Sequence, residues 1–111
     1  MNQEPDEATL ARAGELFAAL SNPTRLKVVE ALRSGEKSVG EVAAGMHIGL
    51  SGASQHLAIL ARAGVIASHS KGTSRYYKIR GPRIEKILDL IFEFCHVHRL
   101  YGAAPEEVDA E

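Results

Sequence analysis

Residues 38–64 read SVGEVAAGMHIGLSGASQHLAILARAG, and the reading of this stretch decides the fold. Ser38-Val39-Gly40-Glu41 has the form of a capping box: the serine hydroxyl accepts from the N–H three residues on, and the glutamate reaches back to the serine N–H. The helix so opened is expected to end near Met46. His47-Ile48-Gly49 then forms a turn, with His47 in the left-handed position that glycine usually fills after a helix. Gly49 is a tolerable N-cap for a second helix. In that helix Ala53, Leu57, Leu60 and Gly64 recur at spacings of four, three and four, which puts them on one face. The opposite face carries Ser51, Gly52, Gln55 and, further along, Arg62, with Ser54 and His56 at its flanks.

A solvated helix face is normally rich in charge, yet residues 50–61 contain no Asp, Glu, Lys or Arg. Small residues and short hydrogen-bonders suit a helix that must lie close to another surface. Ser and Gln can pair with base edges in a major groove, and a helix N-terminus attracts phosphate. Taken alone, the stretch also reads as an ordinary helical hairpin with a chance polar face.

The charge distribution bears on that choice. The 111 residues carry 13 Lys and Arg against 14 Asp and Glu, a net charge of −1. From Ser51 to Arg83, however, the sequence holds Arg62, Lys71, Arg75, Lys78, Arg80 and Arg83 and no acid. Glu4, Asp6 and Glu7 crowd the beginning, and Glu106, Glu107, Asp109 and Glu111 the end. A near-neutral total with one basic segment points to a localised anionic partner. The length fits one domain with a modest core. No apolar run reaches the roughly 18 residues of a membrane span, and no basic-then-apolar leader opens the sequence. The lone Cys95 suits a reducing compartment. A cytoplasmic protein is expected.

Residues 1–8 read as a disordered arm. A helix follows from about Ala8 to Leu20, with Leu10, Ala13, Gly14 and Phe17 on one face. Asn22-Pro23 restarts the chain as N-cap and first helical residue. The second helix reaches about Arg33, with Leu26, Val29, Ala31 and Leu32 partly inward, and stops at Ser34-Gly35. After the central helix pair, 65–70 reads as a strand, 71–74 as a turn and 75–79 as the returning strand. Gly81-Pro82 starts a last helix of about twenty residues, ~30 Å long. An acidic tail occupies 103–111. The fold class is therefore mainly α with a small β-hairpin, in the order α-α-α-α-β-β-α: a winged helix-turn-helix over residues 9–102.

With ALSNPTRLKVVEALRSGEKSVGEVA (19–43), SQHLAILARAGVI (54–66) and KGTSRYYKI (71–79) in this order, the sequence resembles the ArsR/SmtB family of small bacterial transcriptional repressors. The resemblance covers roughly residues 10–102. It implies a homodimer that binds an inverted-repeat operator in double-stranded DNA and leaves it on a signal, possible inducers being small molecules or redox agents. It implies base readers among Ser51, Gly52, Ser54, Gln55 and His56 on the second helix of the pair. Lys71, Thr73 and Arg75 would serve the wing, and Lys37 and Ser38 would contact phosphate. Many relatives carry a basic residue where Thr73 stands.

The dimer is expected through the first and last helices. The last helix carries two apolar stripes: Ile84, Ile87, Leu88, Ile91 and Cys95, then Leu90, Phe94, Val97 and Tyr101. One stripe suffices for the chain's own core, so the second calls for a partner. The seam is expected to include Leu10, Gly14, Phe17, Leu88, Ile91 and Cys95.

The resemblance also brings sensing sites, and this sequence departs from them. An arsenic-type site needs Cys-x-Cys where Ser38 and Gly40 stand. A zinc-type site needs acid and imidazole ligands where the alignment puts Gly81, Arg83, Phe94 and Val97. A two-cysteine persulfide switch would need a thiol where Glu30 stands. Cys95 and His98, three apart on the last helix, are the remaining metal candidates. A small core residue is the plainer role for a cysteine in an apolar stripe. No metal and no cofactor are expected. No phosphate loop, carboxylate pair or nucleophile signature argues for an enzyme. The alternative function is a winged-helix adaptor that docks protein on the uncharged helix face and binds no DNA.

Overall fold

The computed structural model describes residues 4–101, with side chains through residue 96. The chain divides into two compact units, Met1–Arg80 and Gly81–Glu111. In the first unit, Asp6 opens helix α1 (Glu7–Leu20), its carboxylate accepting from the Thr9 N–H at 2.8 Å. That contact satisfies one of the N–H groups every helix start leaves unpaired. The helix thus begins inside the segment expected to be disordered; residues 1–3 of that arm lie outside the described residues. Helix α2 (Pro23–Leu32) starts on Asn22, whose side-chain oxygen accepts from the Arg25 N–H at 3.0 Å. Its buried residues are Val28, Val29 and Leu32, while Leu26 and Ala31 stay half-buried. Val28 is buried as well, beside the Val29 and Leu32 that the sequence pattern placed inward.

Helix α3 (Val39–Met46) carries the full capping box: Glu41 N–H to Ser38 Oγ at 3.1 Å, and Ser38 N–H to Glu41 Oε1 at 2.8 Å. His47 follows in the left-handed region at φ 58°. The N–H groups of Ile48 and His47 fold back to the carbonyls of Ala43 and Ala44, closing the helix end. Helix α4 (Leu50–Arg62) buries Ala53, Leu57 and Leu60. Gly64 does not extend that face. It lies beyond the helix at φ 86°, with its N–H bonded to Ala61 O and the next N–H, of Val65, to Leu60 O. The glycine terminates α4 rather than packing it, because two turns of close-set hydrogen bonds need a positive φ there.

Strands β2 (Ile66–Lys71) and β3 (Ser74–Ile79) form the wing. They pair from Ile66↔Ile79 to Lys71↔Ser74, so only Gly72 and Thr73 connect them, a shorter turn than expected. Gly72 alone of the two has positive φ, 65°, the pattern of a type II′ hairpin. A third strand, β1 (Lys37–Ser38), pairs antiparallel with β3 and makes it the central strand of the sheet. Val28, Leu57, Leu60, Val65 and Ile66 are fully buried in this unit's core.

The second unit is helix α5 (Pro82–Tyr101), its first turn closed by Ile84 N–H and Glu85 N–H to Gly81 O. Leu88 is fully buried, Ile84, Ile87 and Ile91 are half-buried, and Leu90 and Phe94 are exposed. Cys95 is exposed rather than a packed core residue. Val97 and His98 lie outside the described side chains, and residues 103–111 outside the described chain. Among the described residues, no helix is long and apolar enough to cross a membrane, and no three His, Cys, Asp or Glu side chains group as metal ligands.

Candidate nucleic-acid interface

The face of α4 that turns away from the core begins at Gly49, which supplies no side-chain cap, so the first N–H groups of the helix have no hydroxyl or carboxylate over them. Ser51, Ser54 and Gln55 are exposed on this helix; Gly52 and His56 are half-buried. Ala58 and Arg62 continue the exposed face toward the C-terminus.

His56 differs from its neighbours because a residue on α2 holds it. Arg25 Nη1 lies 3.4 Å from His56 Nδ1. A guanidinium only donates, so Nδ1 is the acceptor in this contact. The same guanidinium donates from Nε to Ala19 O at 2.7 Å and from Nη2 to Ala18 O at 3.3 Å. Arg25 thereby ties the last carbonyls of α1 to the middle of α4. No local pattern announces this contact, since 31 positions separate Arg25 from His56.

The register of the sheet sorts the wing residues by face. Side chains alternate along a strand, and directly paired residues share a side. Lys71, His69 and Tyr76 therefore lie on one face, while Arg75, Ser68 and Lys37 lie on the other. Lys71 and Arg75, the two basic wing residues singled out from sequence, point to opposite sides of the hairpin. Arg75 Nη1 donates to Ser68 Oγ at 2.9 Å across the strands. Thr73 is exposed in the connecting turn.

The Lys71 face holds a residue that sequence reasoning missed. Glu36, just before β1, accepts from Lys71 Nζ at 3.0 Å and meets His69 Nε2 at 2.7 Å. His69 stacks on Tyr76 with ring centroids 6.1 Å apart, and Lys71 Nζ sits 5.1 Å from the Tyr76 ring centre. The bond to His69 first, then that to Lys71, holds the Glu36 carboxyl below its ordinary pKa; Glu36 in turn raises that of Lys71. The signal available in the sequence was the His69-x-Lys71 alternation with Tyr76 directly opposite His69. The carboxylate that completes the group comes from 33 and 35 positions away.

Lys37 and Ser38 prove to be strand residues, paired with Tyr77 and Tyr76. The Ser38 N–H and hydroxyl oxygen are both engaged in the α3 cap. The start of the helix-turn-helix is thus fastened to the wing's central strand. Glu30, where a sensing thiol would stand, is ion-paired with Arg33 at 3.0 Å.

A family model described as a helix-turn-helix domain matches residues 20–69. The transcriptional repressor SdpR of Bacillus subtilis is 33% identical over 81 residues, 73% of this chain and 90% of the relative. The transcriptional activator HlyU of Vibrio cholerae is 31% identical over 104 residues, 94% of this chain and 91% of the relative. The solution structure of the homodimeric winged helix-turn-helix DNA-binding domain Mb0332 of Mycobacterium bovis, a possible ArsR-family regulator, superposes with a TM-score of 0.80. It does so at 28% identity over 88% of this chain and 93% of that one.

Proposed function

The chain belongs to the ArsR/SmtB family of winged helix-turn-helix regulators, and from that premise we propose how this sequence-specific DNA-binding protein, which is not an enzyme, meets its operator. The reading rests above all on one observation: the exposed face of α4 carries no Asp, Glu, Lys or Arg before Arg62 in its last turn, and it starts at a helix terminus without a side-chain cap. Ser51, Ser54 and Gln55 read base edges in the major groove from that face, with Gly52 allowing close approach. Uncapped N–H groups at residues 50–52 favour a backbone phosphate. His56, held by Arg25 through Nδ1, sets the roll of the helix. Lys37 and Arg75 meet phosphate on one side of the wing, and Lys71 on the other. Phosphate contacts fix register and base contacts choose sequence.

The protein works as a homodimer and binds an inverted repeat with half-sites about one helical turn apart. The exposed Leu10, Phe17, Leu90 and Phe94 support apolar seams on α1 and α5. Gly14, Ile91 and Cys95 accompany them, while Leu88, also expected in the seam, is already fully buried in the single chain. Repression, rather than activation, is the simplest outcome of occupying a promoter. The thiol-free positions Ser38, Gly40 and Glu30 argue for a signal other than arsenite or an intrasubunit persulfide.

The test begins with a duplex selected from a random pool. Gln55→Ala should weaken binding to that duplex by ~1–3 kcal/mol and leave binding to random duplex nearly unchanged. Arg75→Ala should weaken both and flatten the salt dependence. Equal losses on both duplexes for Gln55→Ala would remove Gln55 from the base readers. Absence of any selected duplex would favour the protein-docking adaptor.

A further inference from the structure

Lys71 is drawn back along its own strand. Its Nζ lies over the Tyr76 ring and bonds to Glu36, and the side chain is nevertheless 62% exposed. Glu36 is 33% exposed and bonds both His69 and Lys71 through its two oxygens. A carboxylate so placed occupies the position a phosphate oxygen would take on Lys71. It also brings a negative charge to a segment, Ser51 to Arg83, that has none of its own. A DNA phosphate beside Lys71 would be repelled by Glu36, and an exposed ion pair is weak enough to exchange.

We propose that Glu36 is an internal counter-ion, which Lys71 exchanges for a DNA phosphate when the wing docks. This rests on the reading of Lys71 as a wing phosphate contact. Glu36 then lowers affinity for DNA of any sequence, so that the wing adds less to non-specific binding than its basic residues would alone. His69 keeps one Glu36 oxygen during the exchange, so the β1 end of the sheet stays tied to the wing. Glu36 acts through Lys71 and touches no base.

The experiment titrates the full-length chain with a random-sequence duplex, since phosphate contacts do not depend on sequence. Wild type, Glu36→Gln, Lys71→Ala and the double variant are compared at several salt concentrations. Glu36→Gln keeps an acceptor for His69 and removes the charge. It should bind about two- to fivefold tighter at low salt, the size of an exposed ion pair, and the gain should fade as salt rises. In the Lys71→Ala background the gain should vanish. Lys71→Ala alone should weaken binding and reduce the salt slope by about 0.9. If Lys71→Ala loses affinity but Glu36→Gln gains none, the counter-ion role is overturned and the wing reading stands. A gain from Glu36→Gln that persists without Lys71 also overturns it. If Lys71→Ala binds as wild type does, both fall together.

Discussion

Asp6 and Glu36 ionise more readily in the folded chain than their ordinary values of 3.8 and 4.5. Backbone donation from Thr9 is the main cause for Asp6, and the bond from His69 for Glu36. A depressed folded-state pKa means that the unfolded chain binds protons first as pH falls. The stability these contacts contribute is therefore present above the ordinary values and lost below them, as pH drops through the lowered pKa. Urea midpoints taken from neutral pH down to about pH 3 should decline through the acid range, and Glu36→Gln should decline less steeply than wild type. An identical slope in the two proteins would mean that the wing contact is too weak to matter for folding. At this scale sequence reading succeeded where the cause was local. His47 was placed in the left-handed region because a helix ended before it, and the structure has it at φ 58°. It fell short at His56 and Lys71, whose partners Arg25 and Glu36 lie more than thirty positions away and leave no periodic trace.

Among the elements, α3 bears the most on how α4, the helix proposed to meet DNA, is presented. Ser38 caps it and is at the same time half of strand β1. Ser38→Ala removes an N-cap and should cost about 1 kcal/mol, read as a shifted midpoint in chemical denaturation. Ser38→Thr, which keeps the hydroxyl, should restore most of it. If the alanine variant matched wild type, the sheet pairing alone would hold the helix start. All five helices among the described residues were legible from caps, periodicity and Asn-Pro or Gly-Pro punctuation, because each signal is contained within a few residues. Strand β1 was not, since two residues cannot display an alternation. The wing's boundaries slipped by one residue for a related reason. Val65 is apolar enough for a strand, yet its N–H closes the end of α4 by bonding to Leu60 O. Gly64 looked like a fourth member of a buried face because a spacing of four cannot distinguish a packed residue from the glycine that ends the helix.

For the whole molecule the proposed dimer makes the sharpest demand. Phe17 is 69% exposed in the single chain, so Phe17→Glu disturbs no core and should leave the thermal midpoint of the isolated chain close to wild type. In a subunit seam the same carboxylate would be buried without a partner, at a cost of several kcal/mol. Sedimentation should then find folded monomer with operator affinity largely lost. A Phe17→Glu protein that stays dimeric would move the seam off this face of α1. The apolar stripes that suggested the dimer were visible in sequence, but the division between residues kept for the chain's own core and those left outside was not. Leu88 and Phe94 are both apolar helix residues, and only three-dimensional packing assigns one to each side. The Arg25 guanidinium acquires a second meaning in such a dimer. It grips the closing carbonyls of α1 with two nitrogens and His56 of α4 with a third. A helix end near a subunit contact and a helix offered to DNA thus share one rigid hinge pin. Free energy exchanged through it is symmetrical: by whatever factor subunit pairing sharpens operator binding through Arg25, operator binding tightens the pair by the same factor.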